Sequence, residues 1–152
     1  MKLTKKKRDI IHGKLCPYCG AKTKKVSMDV IYGKKFGAGN DVICCQNYPK
    51  CNSYVGTHDD GTSLGRLANY ELRIAKKKAH ASFDKLWKEG ILKRNKAYKL
   101  LSEYLNIPGK YTHIGMFQIS TCYHVEKWAD EQYRVLKSNI SRLRQDHVEK
   151  QE

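Results

Sequence analysis

Hydrophobic and polar positions follow two different patterns along the chain, and the change falls near residue 60. Between residues 25 and 57, short runs of β-branched and aromatic residues are separated by glycine-rich or polar segments. This pattern is typical of strands joined by turns. The predicted strands are 25–32, 41–45 and 53–57, with a glycine-rich turn over 33–40. From residue 64 onward, apolar residues recur at spacings of three and four, which predicts amphipathic helices.

Three helices are predicted in the second part of the chain. In chain order they cover 64–89, 94–106 and a last segment that begins near 118–120. Ser63 is the expected N-cap of the first helix, and Gly90 follows its end. Asn95 is the expected cap of the second helix, which Pro108 stops. From about residue 137 the last helix is strongly polar and is expected either to fray or to meet a partner.

Four of the six cysteines have the spacing of a structural metal site. Cys16 and Cys19 stand in C-P-Y-C-G, and a second group follows at Cys44, Cys45 and Cys51. Two thiolates from each group complete the tetrahedral Cys₄ site that zinc prefers, which leaves no open position for a substrate. Neighbours in extended backbone point to opposite faces, so only one of Cys44 and Cys45 is expected to ligate. The spacing therefore predicts one structural Zn²⁺ ion.

The second cysteine group resembles the zinc ribbons at the C-termini of type IA DNA topoisomerases. Those ribbons carry a C-P-x-C-G knuckle, then a cysteine, an N-Y-P-K stretch and a final cysteine, as residues 45–51 do here. The resemblance covers residues 16–51 and implies a β-ribbon fold and contact with single-stranded DNA. The ligand set that it implies is Cys16, Cys19, Cys45 and Cys51. Cys44 and Cys122 are then expected to be buried free thiols in a reducing compartment.

These features predict an α+β protein with a small N-terminal Cys₄ zinc ribbon followed by a three-helix region. The expected segments are a basic, flexible arm over 1–14, the zinc ribbon over 15–60 and the helical region over 61–152. The arm is polar and has few residues to anchor it.

Positive charge is concentrated in two parts of the chain. The 152 residues include 30 Lys or Arg and 15 Asp or Glu, for a net charge of +15. Residues 1–25 hold nine Lys or Arg and one acid, and residues 64–111 hold twelve against four, whereas residues 112–152 are balanced at six against six. Two basic zones are the electrostatic footprint of a polyanion-binding protein. Nucleic acid, with DNA favoured and little sequence preference, is therefore the expected partner.

The expected nucleic-acid contacts combine cations with an aromatic ring. Tyr48 is expected to stack on an exposed base, and the cations are expected to contact phosphates. The expected phosphate contacts are Lys5, Lys6, Lys7, Arg8, Lys50, Arg73, Lys76, Lys77 and Lys78. Tyr18, Tyr32 and Tyr54 are further stacking candidates, although at least half of these tyrosines should pack the ribbon core.

Two groups of polar residues invite a catalytic interpretation. Residues 58–60 are His-Asp-Asp, and His80 and Asp84 stand four apart on a predicted helix. Consecutive residues of a turn rarely converge on one ion, and Asp-Asp-Gly is ordinary turn chemistry. A His–Asp pair at this spacing is more often a hydrogen bond on a helix surface. We therefore expect a protein that is not an enzyme, with nuclease activity as the least favoured alternative.

A wider resemblance covers residues 16–125. Its segments are C-P-Y-C-G from 16, Y-V-G-T-H from 54, L-G-R-L-A-N from 64, A-H-A-S-F-D-K-L-W from 79, R-N-K-A-Y from 94 and H-I-G from 113. They resemble a family of small phage and bacterial proteins described as a zinc-finger-containing domain of unknown function. The resemblance implies zinc binding, a phage or mobile-element origin and the cytoplasm of a bacterial host. It implies no catalytic residues.

The charge-balanced C-terminal helix favours a second hypothesis about partners. A helix with no obvious nucleic-acid role suits a protein-interaction module that captures or inhibits a host enzyme or defence protein, or a homodimer contact. No apolar run of about 18 residues occurs, so no transmembrane helix is expected. The basic N-terminus has no apolar run behind it and is not expected to be a signal peptide.

Overall fold

The structure is a computed structural model that describes residues 2–34 and 39–151. Within these residues the chain forms a three-stranded sheet and five α-helices. In chain order they are α1 Lys5–Ile11, β1 Thr23–Val26, α2 Met28–Tyr32, β2 Val42–Cys45, β3 Tyr54–Gly56, α3 Tyr70–Lys88, α4 Arg94–Leu105 and α5 Ile119–Glu149. Two 3₁₀ turns cover Gly109–Tyr111 and Ile114–Met116. The predicted α+β class is confirmed.

The chain divides into two compact units. Unit 1 comprises Met1–Lys76 and His113–Ile119, and unit 2 comprises Lys77–Thr112 and Ser120–Glu152. Helix α3 therefore contributes residues to both units. The expected segment limits at residues 14 and 60 do not coincide with these units, and as domain limits in solution they stay predictions.

The sheet of unit 1 is antiparallel, with strand order β1-β2-β3. Ile43 on the central strand pairs with Lys25 on one side and with Val55 on the other. Because side chains alternate between faces, Ile43 and Cys45 share one face of β2 and Cys44 lies on the other. The core of unit 1 on the first face consists of Cys16, Cys45, Val55 and Leu67, with Ala21, Ile43 and Cys51 packed against it.

The strand predicted over 25–32 is wrong beyond Val26. Ser27 is the N-cap of α2, and its hydroxyl accepts a hydrogen bond from the Asp29 N–H at 3.3 Å. Asp29 also places a negative charge in the first turn of the helix, where it interacts favourably with the positive end of the helix dipole. This local capping prevails over the strand propensity of the residues that follow. The glycine-rich turn predicted over 33–40 includes residues 35–38, which lie outside the described residues.

The arm predicted over 1–14 contains a helix, α1, that the sequence pattern did not predict. The Thr4 hydroxyl caps this helix by accepting from the Lys7 N–H at 3.2 Å. At its other end Ile11 is buried, and the Thr23 hydroxyl donates to the Gly13 carbonyl at 2.7 Å. One buried side chain and one hydrogen bond to β1 therefore anchor a segment that looks uniformly polar.

The first long helix begins later than predicted. Asn69, and not Ser63, accepts a hydrogen bond from the backbone N–H of Leu72 at 3.0 Å, which caps α3. The Ser63 hydroxyl instead bonds to the backbone of Gly65, donating to its carbonyl at 2.6 Å. Ala68 exchanges two backbone hydrogen bonds with Tyr54 at 2.9 and 3.2 Å. The apolar residues before Asn69 thus lie in non-helical chain that bonds to β3, and not in a first helical turn.

Unit 2 is built from the second part of α3 with α4 and α5. Its buried side chains include Phe83, Leu86, Leu101 and Val125. The ring of Tyr98 meets that of Phe83 edge to face, with 4.8 Å between centroids. Asn95 does not cap α4 as predicted, because it lies inside the helix and Lys93 occupies the N-cap position without a side-chain bond.

Helix α5 begins where predicted and extends further than predicted. It runs to Glu149, so the expected fraying from residue 137 does not appear in the structure. Only its first part is buried, at Cys122, Val125 and Ala129. The later apolar residues include Leu143, which is 68% exposed. Across the described residues, every helix is too short or too polar to cross a membrane.

Candidate metal centre and nucleic-acid interface

The first two cysteines lie on a tight turn of unit 1. An isolated bridge between Leu15 and Lys22 closes this turn. Inside it the Cys16 N–H donates to Ala21 at 2.8 Å, and the Gly20 N–H donates back to Cys16 at 3.0 Å. Gly20 has a φ of 76°, a left-handed conformation that side chains disfavour. The glycine of C-P-Y-C-G therefore allows the backbone to fold under both thiols.

The second two cysteines are placed by the end of β2 and the turn after it. Cys45 is the last residue of β2. The chain then turns back through N-Y-P-K, with the Tyr48 N–H donating to Cys45 at 2.9 Å and the Cys51 N–H donating to Asn47 at 3.0 Å. This turn returns Cys51 to the sheet face on which Cys45 lies.

The four sulfur atoms form one cluster. The Sγ atoms of Cys16 and Cys51 are 3.6 Å apart, and those of Cys19 and Cys45 are 3.3 Å apart. All four lie within 4.8 Å of one another. Zn–S bonds of about 2.3 Å place the sulfurs of a tetrahedral site about 3.8 Å apart. The spacing fits one structural zinc ion held by Cys16, Cys19, Cys45 and Cys51, as predicted.

Cys44 is excluded from this cluster by the pleat of the sheet. Its backbone is in register with Lys24 and Tyr54, and its side chain is fully buried. Burial raises the pKa of the Cys44 thiol. Cys122 is also fully buried, in unit 2. Among the described residues neither cysteine is in a disulfide, and both are buried as predicted.

Hydrogen-bond donors surround the ligands. The hydroxyl of Ser53, a fully buried residue, lies 3.2 Å from the Cys16 sulfur and 3.7 Å from the Cys51 sulfur. The Asn47 backbone N–H donates to Cys45 at 3.4 Å, and its side-chain amide donates to Cys19 at 3.7 Å. Such donors stabilise and orient metal-bound thiolates. The sequence analysis did not identify Ser53, although it stands only two residues after the last ligand.

The ligands differ in acidity. A hydrogen bond from the Ala21 N–H lowers the pKa of the Cys19 thiol to about 7. Burial raises the pKa of the Cys45 thiol to about 12. A bound cation would favour the thiolate form of Cys45, because metal ligation requires the deprotonated thiol.

A family described as a zinc-finger-containing domain matches residues 12–132. The chain belongs to this family. The matched region of the zinc-finger-containing domain holds all four ligands, the sheet, α3, α4 and the first part of α5. Neither the curated proteins nor the solved structures include a significant match. The phage origin and the topoisomerase resemblance stay predictions.

Two of the cations expected to contact phosphate are engaged within unit 1. Arg73 donates to the carbonyl of Ala68 at 2.7 Å, and its guanidinium lies 4.1 Å from the centroid of the Tyr54 ring. Lys76 donates to the carbonyl of Arg66 at 2.9 Å. Both side chains are half-buried. These two residues therefore support the fold next to the sheet.

The other expected phosphate contacts are exposed. They are Lys5, Lys6, Lys7 and Arg8 on α1, Lys50 in the N-Y-P-K turn, and Lys77 and Lys78 on α3. Lys5 makes an exposed ion pair with Asp9 at 3.2 Å, and Arg8 donates to the carbonyl of Leu3 at 2.9 Å. Exposed contacts of this kind are weak, so these side chains can bind a phosphate in place of their present partners.

A tyrosine cluster covers one part of the ribbon. Tyr54 is its centre, with Tyr32 and Tyr48 edge to face at centroid distances of 5.8 and 6.3 Å. Tyr32 is 43% exposed, and Tyr48 is half-buried. Tyr18 is 45% exposed, and its hydroxyl accepts from the Asn69 N–H at 3.0 Å. Several tyrosines thus support the fold and still leave ring surface in solvent.

The two groups considered for catalysis have ordinary structural partners. Asp60 accepts from the backbone N–H and the hydroxyl of Thr62, and these bonds lower the pKa of its carboxyl. His80 and Asp84 form an ion-pair contact at 3.6 Å on α3. Among the described residues, the cysteine cluster is the one group of metal-ligating side chains close enough to hold an ion.

Proposed function

We propose that the zinc-finger-containing domain binds nucleic acid, with DNA favoured, largely without regard to sequence. The observation that carries this proposal is the partly exposed tyrosine cluster of unit 1, which lies on the same small ribbon as the exposed Lys50. Aromatic rings beside cations bind single strands by stacking and by charge. In this proposal the zinc ion is structural, because four thiolates leave it no open position.

The residues have distinct roles in this proposal. Tyr48 and Tyr32 stack on bases, and Tyr54 with Arg73 holds those two rings in place. Lys50 and the basic residues of α1 contact phosphates. Lys77 and Lys78 add exposed charge from α3. The function is binding, with no catalytic step.

The test compares single strands with duplex at low and moderate salt. Tyr48→Ala should weaken single-strand binding by about 1–3 kcal/mol and should change duplex binding much less. The matched control is Tyr123→Ala, since Tyr123 is a tyrosine on α5 that is 50% exposed. Zinc content and thermal stability are measured for both variants. Wild-type protein that binds neither DNA nor RNA at low salt would refute the proposal.

The second part of α5 supports a protein partner as a second candidate. Leu143 is 68% exposed, Val148 is 56% exposed and Val135 is 38% exposed. Apolar side chains on a helix surface suit a partner protein or a second copy of this chain. Light scattering separates the two: a dimer that Leu143→Ser dissociates supports self-association. A host protein retained after nuclease treatment, and lost with the same variant, supports capture.

A further inference from the structure

Unit 1 contains a groove whose lining includes none of the clustered tyrosines. The residues that follow α1, 12–14, form one wall, β1 and β2 form the floor, and the turn of residues 61–63 forms the other wall. The groove has a volume of about 530 Å³. Ile43 and Thr23 contribute to the floor.

The lining of the groove is basic. Its charged and titratable residues are His12, Lys14, Lys24 and Lys25, and no described lining residue is acidic. Three acids close to the lining in sequence have partners of their own: Asp60 accepts from Thr62, Asp59 accepts from the Asn40 side chain at 3.0 Å, and Asp9 pairs with Lys5 at 3.2 Å. A fourth, Asp41, stands two residues before Ile43 and is exposed. The structure gives no ion pair to Lys14 or Lys25 within the part of the chain that it describes. Their charges are therefore available to an anion.

The walls of the groove are held in place without a ligand. The Thr23 hydroxyl donates to the carbonyl of Gly13 at 2.7 Å, which joins α1 to β1. Gly13 has a φ of 74°, and a Cβ atom there would lie 2.9 Å from the Ser63 hydroxyl. On the far side, a Cβ atom at Gly61 would lie 2.8 Å from the Lys25 ammonium, so this lysine spans the floor. The Lys25 ammonium thus lies beside the turn that forms the second wall.

We propose that this groove binds the phosphodiester backbone of the nucleic acid, with Lys14 and Lys25 contacting phosphates. The inference rests on the proposed function and adds a second contact surface to it. No Phe, Tyr or Trp lines the groove among the described residues, so it offers mainly charge. Phosphate contacts position a strand and carry no sequence information, which agrees with binding of little specificity.

The first test measures the salt dependence of binding to a single-stranded oligonucleotide. In a plot of the logarithm of the binding constant against the logarithm of the salt concentration, each lost phosphate contact makes the slope less steep by about 0.7. The Lys14→Ala/Lys25→Ala variant should therefore have a slope that is less steep by about 1.4. The matched control is Lys96→Ala/Lys99→Ala, which removes two exposed lysines from α4 in unit 2. The slope of the control should equal the wild-type slope. Equal zinc content and thermal stability show that each variant is folded.

The second test uses an abasic deoxyribose-phosphate oligomer as the probe. Wild type and Tyr48→Ala should bind it with equal affinity, and Lys14→Ala/Lys25→Ala should bind it at least tenfold more weakly. If the double variant keeps the wild-type slope and abasic affinity while Tyr48→Ala weakens binding to normal single strands, the groove proposal is wrong and the proposed function stands. If wild type binds no nucleic acid, both are wrong.

Discussion

The backbones of Gly65 and Gly115 lie against each other in unit 1. A Cβ atom on either residue would overlap the carbonyl group of the facing segment. The contact is fixed by a hydrogen bond from the Arg66 N–H to the Gly115 carbonyl at 2.9 Å, and the Arg66 side chain donates to the Met116 carbonyl at 3.0 Å. Two segments that are 50 residues apart therefore depend on glycine for their approach.

Gly65→Ala is expected to destabilise unit 1 strongly. Gly65 has a φ of 152° and faces backbone, which cannot move aside as a flexible side chain can. Strain and overpacking together should lower the free energy of unfolding by about 2–4 kcal/mol. Thermal denaturation measures the change. Gly109→Ala is the control, because a Cβ atom there meets nothing within 4 Å; equal stability of the two variants would contradict the role of this contact.

Cys45→Ser is expected to abolish zinc binding, and Cys44→Ser is expected to retain it. The reason is that the Cys45 sulfur belongs to the four-sulfur cluster, while Cys44 lies on the opposite face of β2. Elemental analysis of the purified variants gives the metal content per chain. Loss of zinc in Cys44→Ser alone would mean that the register of β2 differs from the one described.

Removal of the metal is expected to unfold the sheet of unit 1 and to leave most helical signal intact. The core of that sheet includes three of the ligands, so metal binding supplies folding free energy there. The core of unit 2 uses Phe83, Leu101 and Val125 and includes no zinc ligand. Circular dichroism with a strong chelator follows both changes. Simultaneous loss of the helical signal would show that the units fold as one.

Sequence spacing was sufficient to predict a Cys₄ site because its information is local. A C-x-x-C turn and a cysteine pair around N-Y-P-K each place two thiols by short-range geometry. Period-two alternation allowed only one of Cys44 and Cys45, and the resemblance to topoisomerase ribbons implied Cys45. The helices at α3, α4 and α5 were also predictable, since each carries a long apolar stripe. The two short helices were missed, because a single cap residue, Thr4 in α1 and Ser27 in α2, decides each of them.

Long-range contacts explain what the sequence pattern did not predict. Arg73 stands in a basic segment typical of phosphate-binding residues, but in the fold its guanidinium contacts Tyr54 and Ala68. Ser53 lies 37 residues from Cys16 along the chain, and the fold of the sheet brings its hydroxyl to the Cys16 sulfur. Pattern analysis finds residue types and spacings, and it does not show which polar groups the fold will pair.

Ser53→Ala is expected to weaken zinc binding without removing a ligand. The Ser53 hydroxyl lies within hydrogen-bonding distance of the Cys16 and Cys51 sulfurs, and loss of such a partner typically lowers metal affinity 10–100-fold, which is about the change expected here. Competition with a chelating dye measures the affinity. Ser138→Ala, at an exposed position of α5, is the control and should match wild type. Unchanged affinity in Ser53→Ala would assign the hydroxyl to packing alone.

Arg73→Gln is expected to lower the stability of unit 1, whereas the double variant Lys77→Gln/Lys78→Gln is expected to change binding alone. Arg73 loses its contact with the Tyr54 ring and its bond to Ala68, so the variant should lose about 1–2 kcal/mol of stability in unit 1. The tyrosine cluster then loosens, and binding to single strands should weaken at every salt concentration. Lys77 and Lys78 are exposed, so their replacement should leave the melting temperature unchanged, weaken binding and reduce its salt dependence. Melting curves and binding isotherms at several salt concentrations separate the two effects.

The prediction for Arg73 is wrong if Arg73→Gln keeps wild-type stability but reduces the salt dependence of binding by the amount expected for one phosphate contact. Arg73 then contacts the phosphate directly, and its cation–π contact is not what holds the tyrosine cluster.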